Sequence, residues 1–183
     1  MLREWSPCTL KESLMNILET ERLVLRKITP DDAGFILALF NDPAFVNKIG
    51  DRRVRSLDDA AKYIPEKMAP SYERNGYGLY LVCVKGSGEG AGICGLVKRE
   101  TLLDADIGFA FLPQYRGQGF ALESAAAVLL YAKEQLGLPR VLGVTKPENA
   151  ISIRILEKIG LKFIGTVRLT EDSPEVNLYF REL

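Results

Sequence analysis

The chain contains no histidine. That absence excludes Ser-His-Asp and Cys-His nucleophile systems and every His-ligated metal site, and no metal is expected. Proton chemistry is left to carboxylates, hydroxyls, Lys, Tyr, Cys or water. Cysteine is scarce: Cys8, Cys83 and Cys94 are the whole set, with no Cys-x-x-Cys spacing. Neither a disulfide framework nor a zinc ribbon is indicated. Cys83 and Cys94 lie in apolar, strand-like runs and read as small buried hydrophobes. Free thiols fit a reducing compartment. Net charge is absent too, since 24 Lys and Arg balance 24 Asp and Glu. No basic excess exists to drive binding to nucleic acid or an anionic membrane. The longest apolar run, Ala125 to Ala132, is far too short to cross a bilayer. Arg3, Glu4, Lys11 and Glu12 interrupt any signal-peptide apolar region. A cytoplasmic protein is expected.

What is present is an ordinary globular composition. Of 183 residues, 47% are hydrophobic and 26% charged, which argues against disorder. At roughly 150 residues per domain, the length fits one domain. Residues 1–20 have weak periodicity and mixed charge, and read as a short helix or arm; residues 1–17 of it are the N-terminal extension. Residues 18–183 read as the single domain. Arg22 to Ile28 alternates as a strand. Thr29-Pro30-Asp31-Asp32 carries N-cap, first-turn proline and acidic signals for a helix to about Phe40. Asn41-Asp42-Pro43 is expected to end it. Ser56-Leu57-Asp58-Asp59 opens a second helix to about Arg74, kinked at Pro65.

Strands are predicted over Gly78 to Lys85, Ala91 to Lys98 and Ala105 to Leu112. Leu122, Ala125, Ala126, Leu129, Ala132 and Leu136 then recur at helical spacing. A strand over Arg140 to Thr145, a helix over Asn149 to Lys158, and strands over Leu161 to Leu169 and Glu175 to Phe180 complete the chain. The order β-α-α-β-β-β-α-β-α-β-β implies an α+β fold. Its sheet is mixed and mostly antiparallel, with about seven strands flanked by helices. The helical crossover between Ala105 to Leu112 and Arg140 to Thr145 favours a parallel pair there.

The informative segment runs from Asp106 to Glu123. A strand ends at Pro113, a glycine-containing loop follows, and a long helix begins. Helix-start N–H groups are unpaired and, with the dipole, make an anion site. Gly117 and Gly119 let the backbone wrap phosphate oxygens, and Arg116 can add a charged contact. Gly-x-Gly alone carries little weight, because it also starts at Gly76, Gly86, Gly88 and Gly90. Its place between strand and helix, after Gln114, raises the signal. Walker A is excluded, since no Gly-Lys-Ser/Thr occurs. The Rossmann pattern fails at Leu122, where Gly or Ala is needed.

Gln114-x-x-Gly117-x-Gly119 resembles the pyrophosphate loop of the GNAT superfamily of acyl-CoA-dependent N-acetyltransferases. Leu18-Glu-Thr-Glu-Arg-Leu-Val-Leu-Arg26 is similar to the first strand of its RimJ/RimL branch. Asn149-Ala-Ile-Ser152 and Glu157-Lys-Ile-Gly160-Leu-Lys-Phe163 resemble a later segment of that branch. The resemblance covers roughly residues 18–183.

It implies a V-shaped splay between the fourth and fifth strands, with acetyl-CoA as co-substrate. Backbone groups of Phe109 and Phe111 would pair with pantetheine. Gln114 and the amides of Arg116, Gly117, Gln118, Gly119, Phe120 and Ala121 would hold the pyrophosphate. Asn149 would hydrogen-bond the pantetheine arm, and Ser152 would face the sulfur. Both residue types also suit a helix cap, so that reading stays open. Many members carry a tyrosine acid where this chain has Leu156, which makes Ser152 the substitute candidate. Asp106, starting a cleft strand, is the candidate base, acting through water. Its alternative is a strand-start carboxylate bound to water. The implied acceptor is a primary amine: a protein N-terminus, an amino acid or another small molecule. A homodimer is implied by resemblance alone. The rival reading is a non-catalytic module that holds acyl-CoA as a sensor.

Overall fold

The computed structural model describes residues 16–183. Among these residues, eight strands form one sheet: β1 (Asn16–Glu19), β2 (Leu23–Arg26), β3 (Leu79–Val84), β4 (Gly90–Val97), β5 (Asp106–Phe111), β6 (Arg140–Thr145), β7 (Lys162–Arg168) and β8 (Glu175–Glu182). Their spatial order is β1-β2-β3-β4-β5-β6-β8-β7. Every pairing is antiparallel except β5 with β6, the expected parallel pair.

The extra strand is β1, in a region that reads as an extension. It pairs with β2 through an irregular register and places Asn16 and Ile17 inside the sheet. The helix or arm expected of the N-terminal residues lies, up to residue 15, outside the described residues.

Six α-helices among the described residues cover the sheet: α1 (Ala33–Phe40), α2 (Pro43–Lys48), α3 (Leu57–Tyr63), α4 (Ala69–Asn75), α5 (Phe120–Glu134) and α6 (Ala150–Lys158). Helix α2 stands where the sequence pattern predicts only a break. Asp42 and Pro43 do end α1, but they also start a new helix. Asp42 caps it by accepting from the Phe45 N–H at 3.0 Å, and Pro43 takes the first turn. The single helix expected from Ser56 to Arg74 is instead α3 and α4 joined by a π-helical stretch, Ile64–Met68. Pro65, whose ring cannot sit in a regular helix interior, lies in that stretch.

The two faces of the sheet follow from strand periodicity. Along β3, Tyr80 and Val82 point into one core, which also holds Ala125, Val128 and Leu129 of α5. Leu81 and Cys83 point into the other, with Phe35, Ile36 and Leu39 of α1. A strand covered on both sides reads as an unbroken apolar run, as Leu79–Val84 does. Cys83 and Cys94 are buried, as expected of small hydrophobes. A buried ion pair anchors the passage from β2 into α1. Arg26 donates to both Asp32 oxygens at 2.8 and 2.7 Å, and Asp32 also accepts from the Thr29 N–H.

Candidate active site

The single parallel contact is where the site begins. Leu142 N–H donates to the Ala105 carbonyl at 2.9 Å, and Asp106 opposite Leu142 is the only registered pair between β5 and β6. Beyond it the two strands part. Leu112 N–H donates to Ala91 of β4 at 3.0 Å. Successive residues of a strand direct their N–H and C=O to opposite edges. Residues 106, 108, 110 and 112 therefore face β4, and Ile107, Phe109 and Phe111 face the opening. By the same alternation Val144 of β6 faces the opening from the other side. The resemblance points to Phe109 and Phe111 but not to Val144, whose place at this edge depends on the register. The Phe111 carbonyl already accepts from Arg116 Nε at 2.9 Å.

The opening leads to the glycine loop. A 3-10 turn, Pro113–Tyr115, precedes it, and Gly117 and Gly119 adopt φ of 75° and 83°. These left-handed conformations are costly for any residue with a Cβ. Open space surrounds the missing Cβ of Gly117. Glu123 N–H donates to the Gly119 carbonyl at 3.0 Å and closes the first turn of α5. The amides of Phe120, Ala121 and Leu122 therefore have no acceptor within the helix. With the helix dipole, such free amides favour an anion. Gln118 folds back, its side-chain amide donating to the Gln114 carbonyl at 2.8 Å.

Arg116 sits differently from the expectation of a phosphate contact. Its guanidinium pairs with Asp42 and the Phe111 carbonyl. Asp42 is only 8% exposed, and a buried carboxylate needs a cation. The charge near the loop comes instead from Arg22. Its Nη1 donates to the Gln118 carbonyl at 3.0 Å, and its guanidinium lies 4.7 Å from the centre of the Phe120 ring. Nothing in the local sequence signals Arg22, which is 96 residues from Gln118.

Across the opening, Asn149 caps α6. Its Oδ1 accepts from the Ser152 N–H at 3.3 Å and its Nδ2 donates to Ser152 Oγ at 2.8 Å. The helix-cap reading is thus present in the geometry. Because Ser152 Oγ accepts from Asn149, its own proton remains to be donated elsewhere. Leu156, at the place where a tyrosine acid is sought, is 1% exposed and packs in the core. A Cβ on Gly143 of β6 would lie 2.8 Å from Leu156 Cδ2. The position serves close helix-to-strand packing.

Asp106 departs from the role of a base reached by solvent. It is 1% exposed, and its two oxygens accept from Arg99 at 2.8 and 3.3 Å. Burial pushes its pKa above the ordinary carboxylate value, against the opposing pull of Arg99. The carboxylate is sealed behind the guanidinium: it stands at the strand start, and its partner is Arg99 rather than the solvent that the alternative expects.

Beside β5 lies a cleft of about 600 Å³. Gly108, Phe109 and Ala110 line it, as do Phe40, Phe45 and Tyr63 from the helices. Phe40 and Tyr63 thus border the cleft, whereas Phe35 and Tyr77 are core. Tyr72 stacks on Tyr80 at 5.6 Å and ties α4 to β3 by donating to the Leu79 carbonyl.

The chain is similar to known proteins. Residues 22–162 match the acetyltransferase (GNAT) domain family. The uncharacterised N-acetyltransferase YoaA of Bacillus subtilis is 32% identical over 154 residues, covering 83% of this chain and 86% of the relative. An FsC-acetyl coenzyme A-N(2)-transacetylase of Aspergillus fumigatus is 27% identical, over 86% of this chain and 69% of its own. Among solved structures, RimL, a ribosomal L7/L12 alpha-N-protein acetyltransferase in complex with coenzyme A, superposes with a TM-score of 0.78. It is 21% identical and the match covers 92% of this chain and 98% of that one. On the family match and the YoaA relationship, the chain belongs to the GNAT acetyltransferase family.

Proposed function

We propose that this protein is an N-acetyltransferase that moves an acetyl group from acetyl-CoA to a primary amine by direct attack. The acceptor is a protein N-terminus, an amino acid or a small-molecule amine, and the setting is cytoplasmic. The observation that carries the reading is the parting of β5 from β6, whose facing edges lead into a loop of amides at the start of α5. Those residues fit acetyl-CoA: an extended polar arm suits the strand edge, and a pyrophosphate suits the amides. Acetyl-CoA supplies the activated acetyl group and a thiolate leaving group.

The chain's own residues then have defined tasks. Amides from Gly117 to Leu122, with the α5 dipole, hold the anion. The Phe109 N–H, fixed at the strand edge, stabilises negative charge on a carbonyl oxygen under attack. The Ser152 hydroxyl gives its proton toward the leaving sulfur. The attacking amine must be neutral, and an α-amine with pKa about 7.7–8.0 meets that condition more readily than a lysine at about 10.4. With Asp106 sealed, the amine loses its proton to water in the open cleft.

Thiol release from acetyl-CoA, followed across a panel of amines, tests the proposal beside calorimetric binding of acetyl-CoA. The expected result is binding together with amine-dependent release. Binding without release for any amine would favour the sensor reading.

A further inference from the structure

The charge of the cleft beside β5 is not that of the chain. Over the whole sequence cations and carboxylates balance at 24 each, yet the cleft is lined by Arg52, Lys67, Arg74, Lys98 and Arg99 against Glu66 alone. Two of the five cations are already engaged. Arg99 pairs with Asp106, and Lys98 Nζ donates to the Leu102 and Leu103 carbonyls at 2.9 and 2.5 Å. Among the described residues, Arg52, Lys67 and Arg74 have no carboxylate partner.

Arg52 lies in the segment after α2, and Lys67 and Arg74 lie seven residues apart on the continuous run from the π-helical stretch into α4. All three line the cleft that Gly108, Phe109 and Ala110 of β5 also line.

We propose that the acceptor is an anionic amine, one that carries carboxylate groups close to the amine to be acetylated. This rests on the acetyltransferase reading and narrows its acceptor. A polycationic amine entering the cleft would meet uncompensated like charge, whereas neighbouring carboxylates on the acceptor pair with Arg52, Lys67 and Arg74. The same cations disfavour the ammonium form of the acceptor, which cannot attack. A cleft of about 600 Å³ takes an amino acid or the first residues of a peptide. Either source offers the same chemistry.

The test is steady-state kinetics of the full chain with acetyl-CoA. Acceptors are peptides of equal length whose second and third residues are acidic, neutral or basic, alongside free glutamate, glutamine and spermidine. Expected is a kcat/KM at least tenfold higher for acidic than for neutral acceptors, with basic ones lowest. Added salt should shrink the difference. A preference seen in peptides but not with glutamate places the anion on a following residue; the reverse identifies a small amino acid. Arg52→Glu, Lys67→Glu and Arg74→Glu, all at exposed positions, should each lower kcat/KM for the acidic acceptor about fivefold or more and raise it for the basic one. A parallel fall in acetyl-CoA affinity would move these residues to the cofactor side and overturn the inference. Equal use of acidic and basic acceptors overturns it while the acetyltransferase reading stands. No thiol release with any amine overturns both.

Discussion

Arg22 and Glu123, 101 residues apart, are joined by a 2.7 Å hydrogen bond from Nε to Oε2, and the Arg22 backbone N–H donates to Oε1 at 3.0 Å. The pair ties the β1–β2 turn to the first turn of α5. The same guanidinium holds the Gln118 carbonyl, so it fixes the shape of the glycine loop.

Arg22→Ala should therefore cost little stability and more affinity. The Arg22 side chain is 46% exposed, and such pairs contribute roughly 1 kcal/mol or less. For a chain of this size that is a fall of about 2–4 °C or less in Tm. Acetyl-CoA affinity should fall several-fold as the loop loses its tether. Calorimetry in scanning and titration modes gives both numbers. Unchanged affinity would show that the loop holds its shape without Arg22.

Glu123 adds a pH signature. Burial raises its pKa, but hydrogen bonds from Thr20 and Arg22 outweigh that, and the net shift is below its ordinary 4.5. A depressed carboxylate contributes stability above its unfolded pKa and loses it as pH falls through the folded value. Denaturant unfolding at several pH values below about 4.5 should show that loss in the wild type and a flatter profile in Glu123→Gln.

Gly119→Val should abolish most acetyl-CoA binding while leaving the chain folded. At φ 83° a β-branched side chain is strained, and any Cβ would lie 3.3 Å from an Arg22 nitrogen. Relief of that strain must move the amides that start α5. Titration calorimetry on protein with native circular dichroism decides the matter. Wild-type affinity would remove the loop from the phosphate site.

Asp106→Asn should lower turnover by less than about tenfold at neutral pH, because a carboxylate held by Arg99 takes no proton from the acceptor. A loss of about 100-fold or more, larger for a lysine-like acceptor than for an α-amine, would restore it as the base. Stability carries a second signature. Since burial raises its folded pKa, the contribution of Asp106 is fully present below the ordinary 3.8 and lost as pH rises through the folded value. An amide does not titrate, so the stability profile of Asp106→Asn should be flatter upward of pH 3.8. The Arg99 side chain is 31% exposed and can rehydrate when unpaired.

Ser152→Ala should reduce kcat about 10- to 100-fold with little change in acetyl-CoA affinity, since water can replace one donor only in part. Asn149→Ala, by contrast, removes a helix cap and should cost about 1 kcal/mol of stability. Steady-state kinetics beside urea unfolding separates the two. If Ser152→Ala behaves like Asn149→Ala, the hydroxyl belongs to the cap alone.

Leu156→Ala should cost about 2–5 kcal/mol in urea unfolding, as for a fully buried leucine. Leu156 is 1% exposed and fills the space that Gly143 leaves open. A cost below about 1 kcal/mol would mean that the site collapses around the smaller side chain.

Most of the secondary structure is legible in the sequence because its signals are local. The Arg140–Thr145 strand has the expected ends, and α5 follows from apolar spacing. Two elements are not legible. Strand β1 is four residues long with a shifted register, and its only strand neighbour among the described residues is β2, so too few alternations exist to read. Helix α2 is hidden because Asp42-Pro43 signals both the end of one helix and the start of the next.

The strand end, the two glycines and the helix start between Gln114 and Glu123 are legible by themselves, since all are encoded within one short stretch. The absence of histidine likewise rules out whole chemistries before any folding is considered. Which charges stand at that stretch is decided only by the tertiary structure. Arg116, local to the loop, is drawn away by Asp42, a buried carboxylate that needs a cation. Arg22, far away in sequence, takes its place because β2 runs beside the start of α5. Asp106 has the same formula wherever it lies, but burial and Arg99 decide whether it can exchange a proton. Electrostatic roles depend on distance and solvent exposure, and those are set by which distant segments the sheet brings together.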